Sequence, residues 1–219
     1  MKPLTVRARL LAPCAPGGPL MLDGILLAGL GAMFGAARPD GWAAPEAVFG
    51  AAAAGGLGLE WVGRGWAASG ATPEGPEAVR HAHRRPAYAE VREWTAERSI
   101  NHSAGPDKSL RIPLYTRPAW MDIRWTCVGD PGLVARLLAH VPGIGQRTTH
   151  GYGWVEQWDV AEGGPALHEY SESLRLRHLP MEAVATEALS AAGRVRRVDL
   201  PLTPPYHDRA RGVPCWQAM

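Results

Sequence analysis

Between Gly143 and Gly153 the chain sets two Gly-apolar-Gly clamps, Gly143-Ile144-Gly145 and Gly151-Tyr152-Gly153, around Gln146, Arg147, Thr148, Thr149 and His150. Glycine has no Cβ, so the backbone at such clamps can turn sharply and approach another surface closely. The polar insert supplies an amide, a guanidinium, hydroxyls and an imidazole. With exposed main-chain N–H groups, that set suits a phosphate-rich ligand. In this reading Arg147 pairs with a phosphate, and Thr148, Thr149 and His150 hydrogen-bond phosphate or sugar. The plainer reading is a helix-to-strand turn whose glycines serve tight packing.

A second candidate lies upstream. Residues 84–110 hold Arg84, Arg85, Arg92, Arg98, His102 and Lys108, with Tyr88 and Trp94 among them and Arg111 just beyond. Arginines interleaved with aromatics suit an arm that grips single-stranded nucleic acid. The alternative is a solvated loop with ordinary surface charge. His81, His83, His102 and His150 could move a proton to or from a ribose oxygen, the chemistry of metal-independent RNA cleavage. Nothing in their spacing fixes a pair of them in one place, so no catalytic residue is assigned. His81-x-His83 would put both imidazoles on one strand face, but no third ligand is signposted and no metal is expected. Asp122, Asp130 and Asp159 fall on separate elements. A phosphate loop, a dinucleotide fingerprint and a nucleophile elbow are all missing, so ATP hydrolysis, redox and esterase chemistry have no support and no cofactor is expected.

Composition sets the frame. The 219 residues allow one large domain or two small ones; 46% are hydrophobic and 20% charged, as in folded proteins. The 26 Gly and 20 Pro imply many turns, and nine Trp against two Phe supply flat rings for a core, a base or a partner protein. A net charge of +2 is mild for a nucleic-acid-binding domain standing alone, but sufficient for a subunit within a larger assembly. Positive charge is almost all Arg, with Lys at Lys2 and Lys108 only. Arg suits bidentate phosphate contacts, although a GC-rich genome would favour it too. Cys14, Cys127 and Cys215 are far apart and suggest neither a zinc ribbon nor a disulfide framework. Residues 1–12 alternate polar and apolar, so no secretory leader is expected. The stretch Leu20 to Ala37 carries Asp23 and several glycines, so it is no membrane span. The expected setting is a reduced cytoplasm.

These groups need elements to position them. Leu4, Val6, Ala8 and Leu10 alternate with Thr5, Arg7 and Arg9, which predicts a half-buried strand. Leu22 to Ala37 reads as a helix ended by Arg38-Pro39. Leu57 to Ala68 is expected as one strand containing Trp61 and Trp66, with Glu77 to His83 paired to it. Met121 to Cys127 alternates again. Asp130-Pro131 caps a helix through about His140. The glycine loop follows, then a strand from Gly153 to Val160, a strand-like Leu167 to Leu179 and a late strand from Arg194 to Leu202. The tail from 201 to 219 is too proline-rich for a sheet interior and should cross the surface. The order predicts an α+β fold: a ferredoxin-like (RRM-like) βαββαβ core with additional strands, in a single domain over residues 1–219.

The loop at 143–153 resembles the glycine-rich loop of the RAMP superfamily of CRISPR-associated proteins: Gly-apolar-Gly, five residues including Lys or Arg, then Gly-apolar-Gly. It matches every fixed position, over 11 of the 219 residues. The chain further resembles the small Cas-five-like subunit of type IV effectors. The supporting residues are Leu22-Asp23-Gly24-Ile25-Leu26 after a Pro-rich turn, and Pro204-Pro205-Tyr206 with a later Cys215. That resemblance implies the RAMP fold with a thumb-like arm, here 84–110. It implies binding of the CRISPR RNA 5′ handle, contact with target nucleic acid (expected to be DNA) and capping of the filament of backbone subunits. RNA processing in that group belongs to another subunit.

Overall fold

A computed structural model describes residues 1–14, 20–36, 45–62, 65–75, 78–84, 112–145, 148–150, 152–164, 179–181, 195–203 and 212–218, with backbone alone over 78–84 and 112–118. Its elements in chain order are β1 (Lys2–Cys14), α1 (Leu22–Ala36), α2 (Pro45–Ala51), β2 (Trp61–Val62), β3 (Gly65–Trp66), β4 (Thr72–Glu74), β5 (Ala78–Arg84), β6 (Ile112–Gly129), α3 (Pro131–Leu138), β7 (Val155–Glu162), β8 (Leu179–Pro180), β9 (Val195–Leu200) and β10 (Val213–Ala218). The architecture is mixed α+β with antiparallel sheets.

β1 is the inner strand of the main sheet. It pairs antiparallel with β6, from Lys2↔Gly129 to Cys14↔Trp120, and with β7, from Leu4↔Glu162 to Leu10↔Val155. β4 pairs with the outer side of β6, Thr72 opposite Arg124, giving the lateral order β4-β6-β1-β7. The expected alternation sorts side chains to two faces. Leu4, Val6, Ala8 and Leu10 of β1 are buried with Ile123, Trp125 and Cys127 of β6. The same core takes Leu22, Ile25, Leu26 and Leu30 from α1 and Val134, Leu137 and Leu138 from α3. Each fully buried aliphatic side chain contributes about 1.5–3 kcal/mol. The other face carries Arg7, Arg9, Arg124 and Asp122, and the edge residues Gln157 and Asp159.

Local chemistry ends and orients the elements. The Asp130 carboxylate accepts the Leu133 N–H at 2.7 Å, capping α3 just ahead of Pro131; such a cap contributes about 1 kcal/mol. Trp125 donates its indole N–H to the Leu20 carbonyl at 2.9 Å, and Trp158 donates to the Val141 carbonyl at 3.0 Å. Their rings lie 5.8 Å apart, so the polar ends are satisfied where the apolar bodies pack. All three cysteines are reduced and buried. Burial pushes the Cys127 thiol up to about 12, so it is a protonated core group rather than a nucleophile.

Three expectations are corrected. Residues 57–68 do not form one strand: β2 and β3 pair Trp61 with Trp66 and Val62 with Gly65, so the chain doubles back. A single strand would put these rings on opposite faces. The hairpin sets them edge to face, 5.1 Å apart at 88°, a favoured aromatic geometry. β5 pairs with residues 112–119 of β6, not with the 57–68 segment. The tail is not merely a surface crossing, because β10 is the middle strand between β8 and β9. Pro214 is tolerated there because it faces Asp199 alone, ahead of Cys215 and Trp216, which are paired on both sides. The expected strand over Leu167 to Leu179 lies outside the described residues except at its last position.

The α1–α3 contact depends on Gly29, where a Cβ would lie 2.3 Å from the Leu137 carbonyl oxygen. At Gly31 the nearest atom to such a Cβ, from Val48, is 3.9 Å away. Gly29→Ala should therefore lower stability by about 1–3 kcal/mol through overpacking. Gly31→Ala should raise it by up to about 1 kcal/mol through helix propensity. Urea midpoints of the two variants test this, and equal shifts would contradict it.

Candidate nucleic-acid interface

The glycine loop begins where α3 ends, and its base is a short ladder. Val155 N–H donates to the Pro142 carbonyl and Ile144 N–H to the Gly153 carbonyl, both at 2.9 Å, and Gly143 bridges Trp154. The two clamps therefore pair with each other across the loop. The ladder is tied in turn to the end of β1. Gly153 N–H is shared between the Ala12 and Pro13 carbonyls at 3.2 and 3.3 Å, and Leu11 N–H donates to the Trp154 carbonyl at 2.8 Å. The Cys14 thiol donates to the Ile144 carbonyl at 3.4 Å.

The apolar residue of the first clamp plugs the loop into the core, since Ile144 is buried. Gly153 has φ +64°, and a Cβ there would lie 2.0 Å from the Ile144 oxygen. Backbone handedness and lack of space both require glycine at that position. The first clamp ends at Gly145 with φ 83°, from which the polar insert departs. Thr148–His150 form a 3-10 turn, and Trp154 caps it by donating its indole N–H to the Thr148 carbonyl at 2.8 Å. Tyr152 is half-buried. Gly143, Gly145 and Gly153 thus form the base, with Thr148, Thr149 and the His150 backbone in the turn above it. Gln146, Arg147 and Gly151 lie outside the described residues.

Of the expected arm over residues 84–110, only Arg84 falls within the described residues. Residues 112–119 of β6 run past Trp120, the last β6 residue paired with β1, and pair instead with β5 from Ala78↔Ala119 to Arg84↔Ile112. This two-stranded ribbon, about 25 Å long at strand rise, leaves the sheet at the end where β1 meets the glycine loop. Arg84 closes β5. Arg85, Tyr88, Arg92, Trp94, Arg98, His102, Lys108 and Arg111 lie outside the described residues. His81 and His83 sit on the β5 backbone, remote in sequence from His150. Among the described residues no three His, Cys, Asp or Glu side chains gather as a metal would need. No described helix is long and apolar enough to cross a membrane.

The sheet face opposite α1 and α3 adds groups that the motif reading left aside. Glu74 accepts from Arg7 and from Arg124, each at 3.2 Å, and so holds two guanidiniums over adjacent strands. These side chains are partly exposed, and each such pair contributes at most about 1 kcal/mol. Gln157 donates to Asp159 at 2.7 Å. At one end the β2–β3 hairpin closes the face through Ala67 and Val128, packed with Val62. The signal for these groups was the polar half of each alternating strand, but spacing alone cannot say which face α1 and α3 cover.

The chain matches no family model, and no curated protein is similar enough to count as a relative.

Gly153→Ala should open the loop base and destabilise the protein by about 1–3 kcal/mol, from αL strain together with the clash. Thermal unfolding measures it, and a variant as stable as the parent would contradict the paired-clamp geometry.

Proposed function

We propose that this protein is a non-catalytic RNA-binding subunit of a CRISPR effector complex of type IV character. In this reading it grips the 5′ handle of the guide through residues 143–153 and caps the filament of backbone subunits. The observation that carries the reading is the pairing of the two glycine clamps at the end of the inner strand. That pairing holds Gly143 and Ile144 against Gly153 and Trp154, the residues on either side of the polar insert. A turn needed only to join a helix to a strand does not require two Gly-apolar-Gly segments closed on each other.

The topology supports the same reading. Leaving aside α2 and the β2–β3 hairpin, the order β1, α1, β4 and β5, β6, α3, β7 and the lateral order β4-β6-β1-β7 support a ferredoxin-like βαββαβ core. The β5–β6 ribbon leaves the sheet beside the loop and suits the root of a thumb-like arm over residues 84–110. Such an arm would contact the guide or the first bases of a DNA target. Affinity would come mainly from phosphate contacts, with no cofactor, in the cytoplasm. The rival reading is a metal-independent endoribonuclease that uses His81, His83, His102 or His150.

The test is binding of purified protein to handle-bearing RNA over a salt series. Arg147→Ala should weaken binding about tenfold whatever the sequence, and lower the salt slope by about 1. Unchanged affinity would remove Arg147 from the interface. Incubation with repeat RNA in EDTA should leave the RNA intact. Discrete cleavage lost on replacing one of those histidines would establish the rival.

A further inference from the structure

The apolar groups at the mouth of the loop have no role so far. Trp154 is 48% exposed and Leu11 is 62% exposed, and they are joined across the strand pair by the Leu11 N–H to Trp154 carbonyl hydrogen bond. Their chain neighbours Leu10 and Val155 pack into the core, so Leu11 and Trp154 stand on the side away from α1 and α3. The Trp154 ring is not loose. Its N–H is committed to the Thr148 carbonyl at 2.8 Å, which pins the ring against the 3-10 turn. What the ring still offers outward is apolar and flat. Two residues before Leu11 on the same strand, Arg9 is exposed and forms no ion pair among the described residues. Arg7 and Arg124, by contrast, are held by Glu74.

A pinned ring on the same sheet face as a guanidinium that has no ion pair among the described residues suits one unpaired nucleotide: a base stacks on the ring and the adjoining phosphate meets the charge. We propose that Trp154, flanked by Leu11, is the stacking platform for one unpaired base of the bound RNA, and that Arg9 takes its phosphate. This rests on the RNA-binding reading and extends the interface from the glycine loop onto the sheet. A protein partner would use the same apolar pair without needing Arg9, and the experiment separates the two.

Binding is measured for the parent, Trp154→Ala, Trp154→Phe and Arg9→Ala. The ligands are a short single-stranded RNA of mixed sequence and an abasic ribose-phosphate strand of equal length. Trp154→Ala should weaken binding to the RNA about fivefold or more and leave binding to the abasic strand at the parental level. Trp154→Phe keeps a ring but loses the N–H, and should hold most of the parental affinity. Arg9→Ala should weaken both ligands alike. Thermal unfolding confirms that each variant is folded. Parental RNA affinity in Trp154→Ala overturns the platform, as does a Trp154→Phe variant as weak as Trp154→Ala, which would mean that the hydrogen bond and not the ring matters. Parental affinity in Arg9→Ala removes the phosphate contact. If the parent binds neither ligand, the RNA-binding reading itself fails and the platform with it.

Discussion

A hydrogen-bonded knot at the end of β1 governs the glycine loop of this molecule. Gly153 presents its N–H to the Ala12 and Pro13 carbonyls while its own carbonyl receives the Ile144 N–H. Ile144 is buried below, and its carbonyl takes the Cys14 thiol. A residue with a Cβ at 153 would meet that carbonyl at 2.0 Å. At Gly153 the main-chain bonds that close the base of the loop have a geometry that only glycine permits.

The sheet extends this constraint. Its dry face is filled by two helices that approach closely at Gly29, which fixes where α3 ends and so where the loop begins. Its other face keeps charge in solvent. Glu74 gathers Arg7 and Arg124 into one cluster, whereas Arg9, opposite Asp122 on β6, lies nearer the loop with Leu11 and Trp154. The two-stranded ribbon of β5 and β6 starts at this same end of the sheet.

Much of the frame was legible in the sequence. Strict alternation in β1 and in residues 121–127 gave the right buried faces, because a period-two pattern has one solution when one side is dry. Asp130-Pro131 marked the start of α3 through capping chemistry alone. The loop was legible as four glycines at fixed spacing, but their mutual pairing was not, since hydrogen bonds to Ala12 and Pro13 join parts of the chain far apart in sequence. Trp61 and Trp66 misled for a related reason: a run of apolar residues does not say where a chain doubles back. Pro214 misled because proline was weighed against the whole tail, when only the part paired on both sides excludes it. Trp154 was not singled out because composition leaves each tryptophan open between core, base and partner, and only the packing of the neighbouring Val155 into the core shows which side Trp154 takes.

The account reduces to one turn, closed by its own glycines, that meets RNA. Hydrogen–deuterium exchange of the protein with and without handle-bearing CRISPR RNA tests this most directly. The account predicts that RNA slows exchange in peptides covering residues 143–154 and 9–14. Slowed exchange elsewhere, with these peptides unchanged at saturating RNA, would contradict it.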